Sequence, residues 1–396
     1  MKKTIRDFDL RNKRALIRVD FNVPLDKDLN VADDNRIRAS LPTIQYALDH
    51  GAKVVLMSHL GRPEGKPVSS MSLAPAAKRL SEFLGKEVVQ CSDCVGPRVR
   101  EELAKLNGSA SVALLENLRF HPEEEKNDAA FSKALAENGN LYINDAFGSS
   151  HRAHASIDGI TKFLPSGAGF LLEKEIRYLG EAMQNPRKPF VAILGGSKVS
   201  DKIGVVESIL SKVDKILIGG AMAYTFLKVQ GVEIGSSKLE KDKLNLAKAI
   251  LGKAKRSGAE ILLPMDHVCA QRVGQNAPTR VEGPAIPAGW LGVDIGPRTI
   301  DLYCKALDPA KTVVWNGPMG IFEMKPFAKG SLEIATKLSK LKNATTVIGG
   351  GDTAACVIGF GLAEKMSHIS TGGGASLEYL EGKTLPGIAA LEDKSS

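Results

Sequence analysis

One pattern recurs along most of the chain. A short run rich in β-branched residues is followed by a glycine or polar break, then by apolar residues at helical spacing. This alternation leaves few options. Strands apolar on both faces need cover on both, and helices inserted between successive strands supply it when the strands run parallel. The expected class is therefore α/β. Candidate strands are residues 15–23, 53–58, 112–116 and 141–144, then 190–194, 215–218, 260–263, 312–315, 345–348 and 368–370. Between them, Ile37, Leu41, Ile44 and Leu48 share a helical face, as do Leu73, Ala77, Leu80 and Leu84, and Ile203, Val206, Leu210 and Val213. Each stripe reads as the core side of a helix.

A chain of 396 residues exceeds the size at which one core stops growing, so two lobes are expected. The break falls near residues 165–169, and residues 170–183 read as a helix joining the lobes. Pro186 and Pro189 punctuate entry to the second sheet. No apolar run reaches the length of a membrane span. The opening residues carry two lysines but no apolar stretch, so no secretory leader and a cytoplasmic location are expected. Cys91, Cys94, Cys269, Cys304 and Cys356 are odd in number and scattered, which does not suggest a disulfide framework. Cys91 and Cys94 form a C-x-x-C. It lacks the second pair or redox-helix context that would make it functional, and it reads as structural. The net charge of +8 suits an anion-binding cleft. Nucleic acid is less favoured, because there is no dense basic run and aromatics are 5%.

In open parallel sheets, ligands sit beyond the carboxyl ends of the strands. Those ends differ between the two halves. In the first half they are polar and basic: Asp20, Phe21 and Asn22; His59, Leu60, Gly61 and Arg62; Glu116, Asn117, Leu118 and Arg119; Asn144 and Asp145, with His151 and Arg152 soon after. Arg36 lies just downstream of the first. Guanidinium forks match phosphate and carboxylate oxygens, so this repetition suggests a small polyanion.

In the second half the ends are glycine-rich: Gly195-Gly196-Ser197-Lys198, Gly219-Gly220, Asn316-Gly317-Pro318, Gly349-Gly350-Gly351-Asp352-Thr353 and Gly372-Gly373-Gly374. Glycine lets main-chain N–H groups approach phosphate, and a following helix N-terminus adds favourable dipole. Five such ends suggest a nucleotide site, with Asp352 as the natural magnesium ligand. Two other motifs fail. Gly382-Lys383-Thr384 lacks the earlier glycine of a P-loop, since Leu377 stands there. Gly349-x-Gly351-x-x-Ala354 lacks the acidic residue that would hold a ribose at the end of the next strand. A nicotinamide dehydrogenase and a non-catalytic basic binding protein are the alternatives these features disfavour.

These stretches resemble the phosphoglycerate kinase family over nearly the whole chain. The closest are residues 18–25, 58–63, 144–147, 151–156, 195–202, 315–318, 350–353 and 370–376. Ser197, where alanine is often expected, and Ser149-Ser150 are mild departures that touch no charged position. The resemblance implies two Rossmann-like lobes joined by a hinge helix. The first lobe would be residues 1–169 plus about 380–396, holding 3-phosphoglycerate. The second would be residues 170–379, holding the nucleotide. It implies Asp20, Asn22, Arg36, His59, Arg62, Arg119 and Arg152 for 3-phosphoglycerate, with Phe21, Leu60 and Gly61 among them. For ATP or ADP it implies Lys202, Gly219, Gly220, Gly292, Asn316, Glu323, Gly350, Gly351, Asp352 and Thr353, with Gly196 joining from the first glycine-rich end. Lys198 corresponds to the family's lysine on the moving phosphoryl group, and Arg36 is a second candidate for that charge. Main-chain donors at Gly373 and Gly374 could assist. A magnesium ion on Asp352, small-molecule substrates, no nucleic-acid or membrane partner and a monomer complete the expectation. The nucleophile would be a carboxylate, ionised at neutral pH, so no general base is needed. Reactants held on different lobes imply hinge bending.

Overall fold

The computed structural model describes residues 1–107 and 111–394. Packing divides the chain into two units, Met1–Ile176 with Thr384–Ser396, and Arg177–Lys383. No helix among the described residues is long and apolar enough to cross a membrane.

The first unit is built on a six-stranded parallel sheet of β1 (Arg14–Arg18), β2 (Lys53–Met57), β3 (Val88–Gln90), β4 (Val112–Leu114), β5 (Leu141–Asn144) and β6 (Ser166–Ala168), in the order β3-β4-β2-β1-β5-β6. Ile17, Val54, Leu56, Val112 and Ile143 are fully buried in its centre. The helix Asn35–Asp49 turns Ile37, Ile44 and Ala47 inward, and Ala74–Leu84 turns in Ala76, Ala77 and Leu80. Each large aliphatic side chain buried this way contributes about 1.5–3 kcal/mol. The chain leaves β1 toward β2 and later returns to its other side at β5. That reversal opens a crevice at the carboxyl ends of β1 and β5. The C-terminal segment packs on this unit: Lys3 N donates to Glu392 O at 2.8 Å and Asn144 Nδ2 to Gly387 O at 2.9 Å.

The second unit repeats the design with β7 (Phe190–Leu194), β8 (Lys215–Ile218), β9 (Glu260–Leu262), β13 (Thr312–Asn316), β14 (Thr345–Gly349) and β15 (His368–Ile369). All neighbours are parallel, in the order β15-β14-β13-β7-β8-β9, so the reversal falls between β7 and β13. A separate antiparallel sheet of β10 (His267–Ala270), β11 (Thr279–Glu282) and β12 (Leu291–Ile295) is inserted after β9. The sequence pattern gave no sign of it, nor of β3 and β6.

Two expected strands are shorter than predicted. β1 ends at Arg18 because Phe21 N is taken by Ser58 Oγ at 2.8 Å rather than by a ladder partner. β4 ends at Leu114 because Asn117 N turns to the Glu116 carboxylate at 2.7 Å. Asp145, just past β5, caps the helix Phe170–Gln184. Its Oδ1 accepts from Leu171 N at 2.9 Å and Leu172 N at 3.3 Å. Burial pushes its carboxyl up to about 7.

Candidate active site

The first unit gathers its charged residues by binding three loops to one another. Arg36, in the first turn of its helix, donates through Nη1 to Asp20 Oδ2 at 2.5 Å. Asn22 Oδ1 accepts from Gly61 N at 2.9 Å, which joins the loop after β1 to the loop after β2. Arg119 Nη1 donates to Gly61 O at 2.8 Å, and its Nε lies 3.3 Å from Glu125 Oε1. Phe21 and Leu60 are buried beneath, whereas Arg62 and Arg152 are exposed.

Asn117, read from the sequence only as part of a strand end, is the clamp. It is fully buried, and its Nδ2 donates to Leu60 O at 2.7 Å and Met71 O at 2.8 Å. Its Oδ1 accepts from Leu60 N at 3.2 Å and Arg119 N at 3.1 Å. One side chain thus sets the height of both the His59–Gly61 loop and Arg119. Glu116 anchors the same turn from the far side through Ser72 Oγ at 2.7 Å and Leu73 N at 2.9 Å.

A buried polar chain fixes His59. Arg18 donates through Nη2 to His59 Nδ1 at 3.1 Å and through Nε to Ser156 Oγ at 2.9 Å. Ser156 Oγ donates to Glu124 Oε1 at 2.6 Å and its N to Oε2 at 2.9 Å. A guanidinium only donates, so His59 Nδ1 accepts and the ring proton sits on Nε2. Burial, then the nearby arginines, hold His59 far below its ordinary range, so it is a neutral N–H donor. Burial likewise holds His154 down at about 4. Its 3.8 Å approach to Glu124 is therefore not an ion pair at neutral pH. Burial also raises Glu124. Arg18, Glu124 and Ser156 have partners far away in sequence, which is why no local signal marked this polar chain, although Arg18 and Ser156 lie in the stretches that carry the resemblance.

The second unit builds its site from main chain. Gly195 N donates to Asn316 O at 3.0 Å, Gly196 N to Pro318 O at 3.0 Å and Gly219 N to Leu194 O at 2.8 Å, which locks the ends of β7, β8 and β13 together. Two of the glycines at these ends leave no room for a side chain. At Gly220, with φ of +64°, a Cβ would lie 2.5 Å from the main chain of Gly196; at Gly317, with φ of +99°, it would lie 2.2 Å from Gly195 O. Two clefts result. One, of about 360 Å³, has an apolar side formed by Val273, Leu291, Met319 and Ile321, and also takes in Gly196, Gly220, Gly292, Glu323 and Asp352. Tyr224 backs it: a Cβ on Gly292 would sit 1.7 Å from the phenol oxygen. The other cleft, of about 260 Å³, is lined by Lys202, Asn316, Gly350, Gly351, Asp352, Thr353, Gly373 and Gly374. Asp352 belongs to both.

In the second cleft the Lys202 ammonium donates to Asn316 Oδ1, and burial lowers its pKa. Asn316 Nδ2 is buried with no protein partner, a donor held ready for an anion. The helix Gly351–Gly359 begins at the glycine turn and carries Asp352 in its first turn. Gly372 N is already taken by Ser370 Oγ at 3.2 Å, which leaves Gly373 and Gly374 as the glycines of that end lining the cleft. Lys198 is exposed on the segment between Gly196 and Val199. Glu240, which sequence reasoning also missed, holds that segment by accepting from Val199 N and from Ser200 Oγ at 2.7 Å.

The family model for phosphoglycerate kinase matches residues 5–383. The chain is 58% identical over 399 residues to the phosphoglycerate kinase of Gloeothece citriformis, covering 99% of both chains. It is 57% identical to the chloroplastic phosphoglycerate kinase of Volvox carteri, covering 100% of this chain and 87% of that one. Among solved structures, the phosphoglycerate kinase of Coxiella burnetii superposes with a TM-score of 0.89 at 39% identity, covering 98% of each chain. That of Pyrococcus horikoshii gives 0.81 at 33%, covering 99% of this chain and 98% of that one. Matched from end to end in sequence and in both sheets, the chain belongs to the phosphoglycerate kinase family.

Proposed function

We propose that the cationic sheet edge of the first unit holds 3-phosphoglycerate or 1,3-bisphosphoglycerate and that the glycine-built clefts of the second hold ADP or ATP. The family makes the chain a phosphotransferase of glycolysis. The reaction assigned is reversible transfer between 1,3-bisphosphoglycerate and ADP, giving 3-phosphoglycerate and ATP. The observation that carries the assignment is the pairing of the two edges. Arg36, His59, Arg62, Arg119 and Arg152 present donors suited to an acid phosphate. Lys202, Asn316 and the turn at Gly350–Thr353 present donors suited to a nucleotide phosphate beside an apolar cleft for its base.

Asp352 offers one exposed carboxylate at the junction of the two clefts. One carboxylate, with remaining positions left to water and phosphate oxygens, suits magnesium. When bound, magnesium neutralises charge on the nucleotide phosphates. The chain's residues align the reactants and stabilise a loose transition state rather than move protons. Lys198 and Arg36 carry the charge of the transferring group, and Gly373 and Gly374 add main-chain donors. The reactants are assigned to different units, so turnover requires them to be brought together, with the helix Phe170–Gln184 as the hinge. Small-angle scattering should show compaction with both ligands bound; an unchanged radius overturns the hinge. A cytoplasmic monomer accompanies this reading, and light scattering should return about 42.3 kDa.

The function is tested by a coupled assay of ATP-dependent phosphorylation of 3-phosphoglycerate with and without magnesium. Magnesium-dependent turnover supports it. Folded protein without turnover contradicts it.

A further inference from the structure

Three groups of different chemistry converge outside the sites above. Asp93 and Cys94 lie in the loop after β3, and His121 lies two residues beyond Arg119. One ligand-capable atom from each lies within 4.8 Å of the other two. Asp93 Oδ1 already meets His121 Nε2 at 2.6 Å, and the Cys94 thiol donates to Glu116 O at 2.9 Å. Asp93 is half exposed and His121 a quarter exposed, so the cluster is reached from solvent although Cys94 is buried. The His121 ring is steadied against Phe131, with centroids 4.9 Å apart.

We propose that Asp93, Cys94 and His121 form a site for a thiophilic divalent cation such as zinc, seated directly behind the loop that carries Arg119. The donor set is one carboxylate oxygen, one sulfur and one imidazole nitrogen. It suits zinc or cobalt and disfavours magnesium, which avoids sulfur. Bonds of about 2.0–2.3 Å place the ligands of one tetrahedron roughly 3.3–3.7 Å apart. The three atoms therefore close on an ion with shifts of about 1 Å, leaving the fourth position to water. Cys91 is not part of it: among the described residues the converging ligand atoms come from Asp93, Cys94 and His121. That explains why the C-x-x-C spacing alone pointed nowhere. The ligands instead come from the ends of two neighbouring strands, β3 and β4, 27 residues apart in the case of Cys94 and His121.

Ligation has a mechanical consequence. The ion takes the place of the proton that Cys94 donates to Glu116 O, which passes to water as the sulfur–metal bond forms; the proton that His121 Nε2 shares with Asp93 moves to Nδ1, which frees Nε2 as the ligand. The hydrogen bond to Glu116 is lost and His121 is drawn toward the ion. Glu116, Asn117 and Arg119 lie between these two points, so the ion should loosen the 3-phosphoglycerate edge and leave the nucleotide clefts alone. The site itself does not depend on the reaction assigned above. Its effect on substrate does.

The test uses cobalt(II) with the intact, substrate-free chain. We expect one cobalt per chain with a near-ultraviolet sulfur-to-cobalt charge-transfer band and visible bands of tetrahedral intensity. His121→Gln should weaken binding at least tenfold, and Cys94→Ser should abolish the charge-transfer band, with thermal melts confirming that both variants fold. Absence of the band in the unaltered chain, or equal affinity in His121→Gln, overturns the site. Zinc should then raise KM for 3-phosphoglycerate several-fold in the unaltered chain and not in His121→Gln, with KM for ATP unmoved. Tight binding without that rise would keep the site and overturn its coupling to Arg119.

Discussion

The two sheet edges proposed to meet anions are built in different ways. At the first sheet edge the candidate donors are side chains; at the second, Lys202 and the Asn316 amide stand within a framework of main-chain glycine turns. Long side chains have to be held. Arg36 is held by Asp20, Arg119 by Gly61 O and Glu125, and the main chain at Leu60 and Arg119 by the buried Asn117. The second edge leans less on side-chain props, because its glycine turns are fixed by the backbone path, although Glu240 holds the Lys198 segment. That path tolerates no Cβ at Gly220 or Gly317. The first design separates recognition from folding, so an exposed arginine can be lost without cost to the fold. The second merges the two, so a single methyl group strikes both.

The lysine that stands apart from both designs gives the largest effect. Lys198→Ala should lower kcat by roughly two orders of magnitude or more, as when one preorganised donor is lost. KM for both substrates should change far less. A comparable rise in KM would make Lys198 a uniform binding group.

Next comes the backbone. Gly220→Ala forces a residue at φ of +64° into overlap with Gly196. Positive-φ strain alone costs about 1–3 kcal/mol, so urea unfolding should show a loss of roughly 2 kcal/mol or more. A loss below about 0.5 kcal/mol would erase the contrast between the two edges.

Arg62→Ala is the counterpart on the side-chain edge. Arg62 is exposed, so stability should stay within about 0.5 kcal/mol while affinity for 3-phosphoglycerate falls about tenfold, the worth of one charge-assisted hydrogen bond. A clear drop in stability would mean the arginine is structural.

The smallest effect concerns a property the two units share. Burial pushes Asp294, beside the apolar cleft, up to about 7, as it does Asp145 in the first unit. A carboxyl raised in the folded state adds stability below its unfolded value near 3.9 and loses it as pH rises through about 7. Asp294→Asn does not titrate, so it should gain stability relative to the unaltered chain between pH 5 and pH 8. Parallel urea curves at the two pH values would contradict the raised pKa.

How much of this the sequence revealed follows the same division. The strands at residues 141–144, 190–194 and 215–218 were legible because they are apolar runs bounded by clear breaks. β6 reads Ser-Gly-Ala and β3 has three residues, too little for any periodicity. In the antiparallel sheet, β11 is a polar, mostly exposed Thr-Arg-Val-Glu, and the β10–β12 register slips between Val268 and Cys269. Neither feature announces a strand. The charged and glycine-rich ends were legible because parallel topology sends them to one edge. Their supports were not. Asn117 reaches Leu60 across 57 residues, Glu124 reaches Ser156 across 32 and Glu240 reaches Ser200 across 40. Only folding brings such partners together, so the residues proposed to touch ligand can be read before those that hold them in place.

The most direct test of the division between the two edges is calorimetric titration of 3-phosphoglycerate and of magnesium-ADP into the intact chain, Arg62→Ala and Gly220→Ala. Arg62→Ala should weaken only 3-phosphoglycerate, and Gly220→Ala, still folded by circular dichroism, should weaken only the nucleotide. Either variant weakening both ligands alike would contradict the assignment of one substrate to each unit.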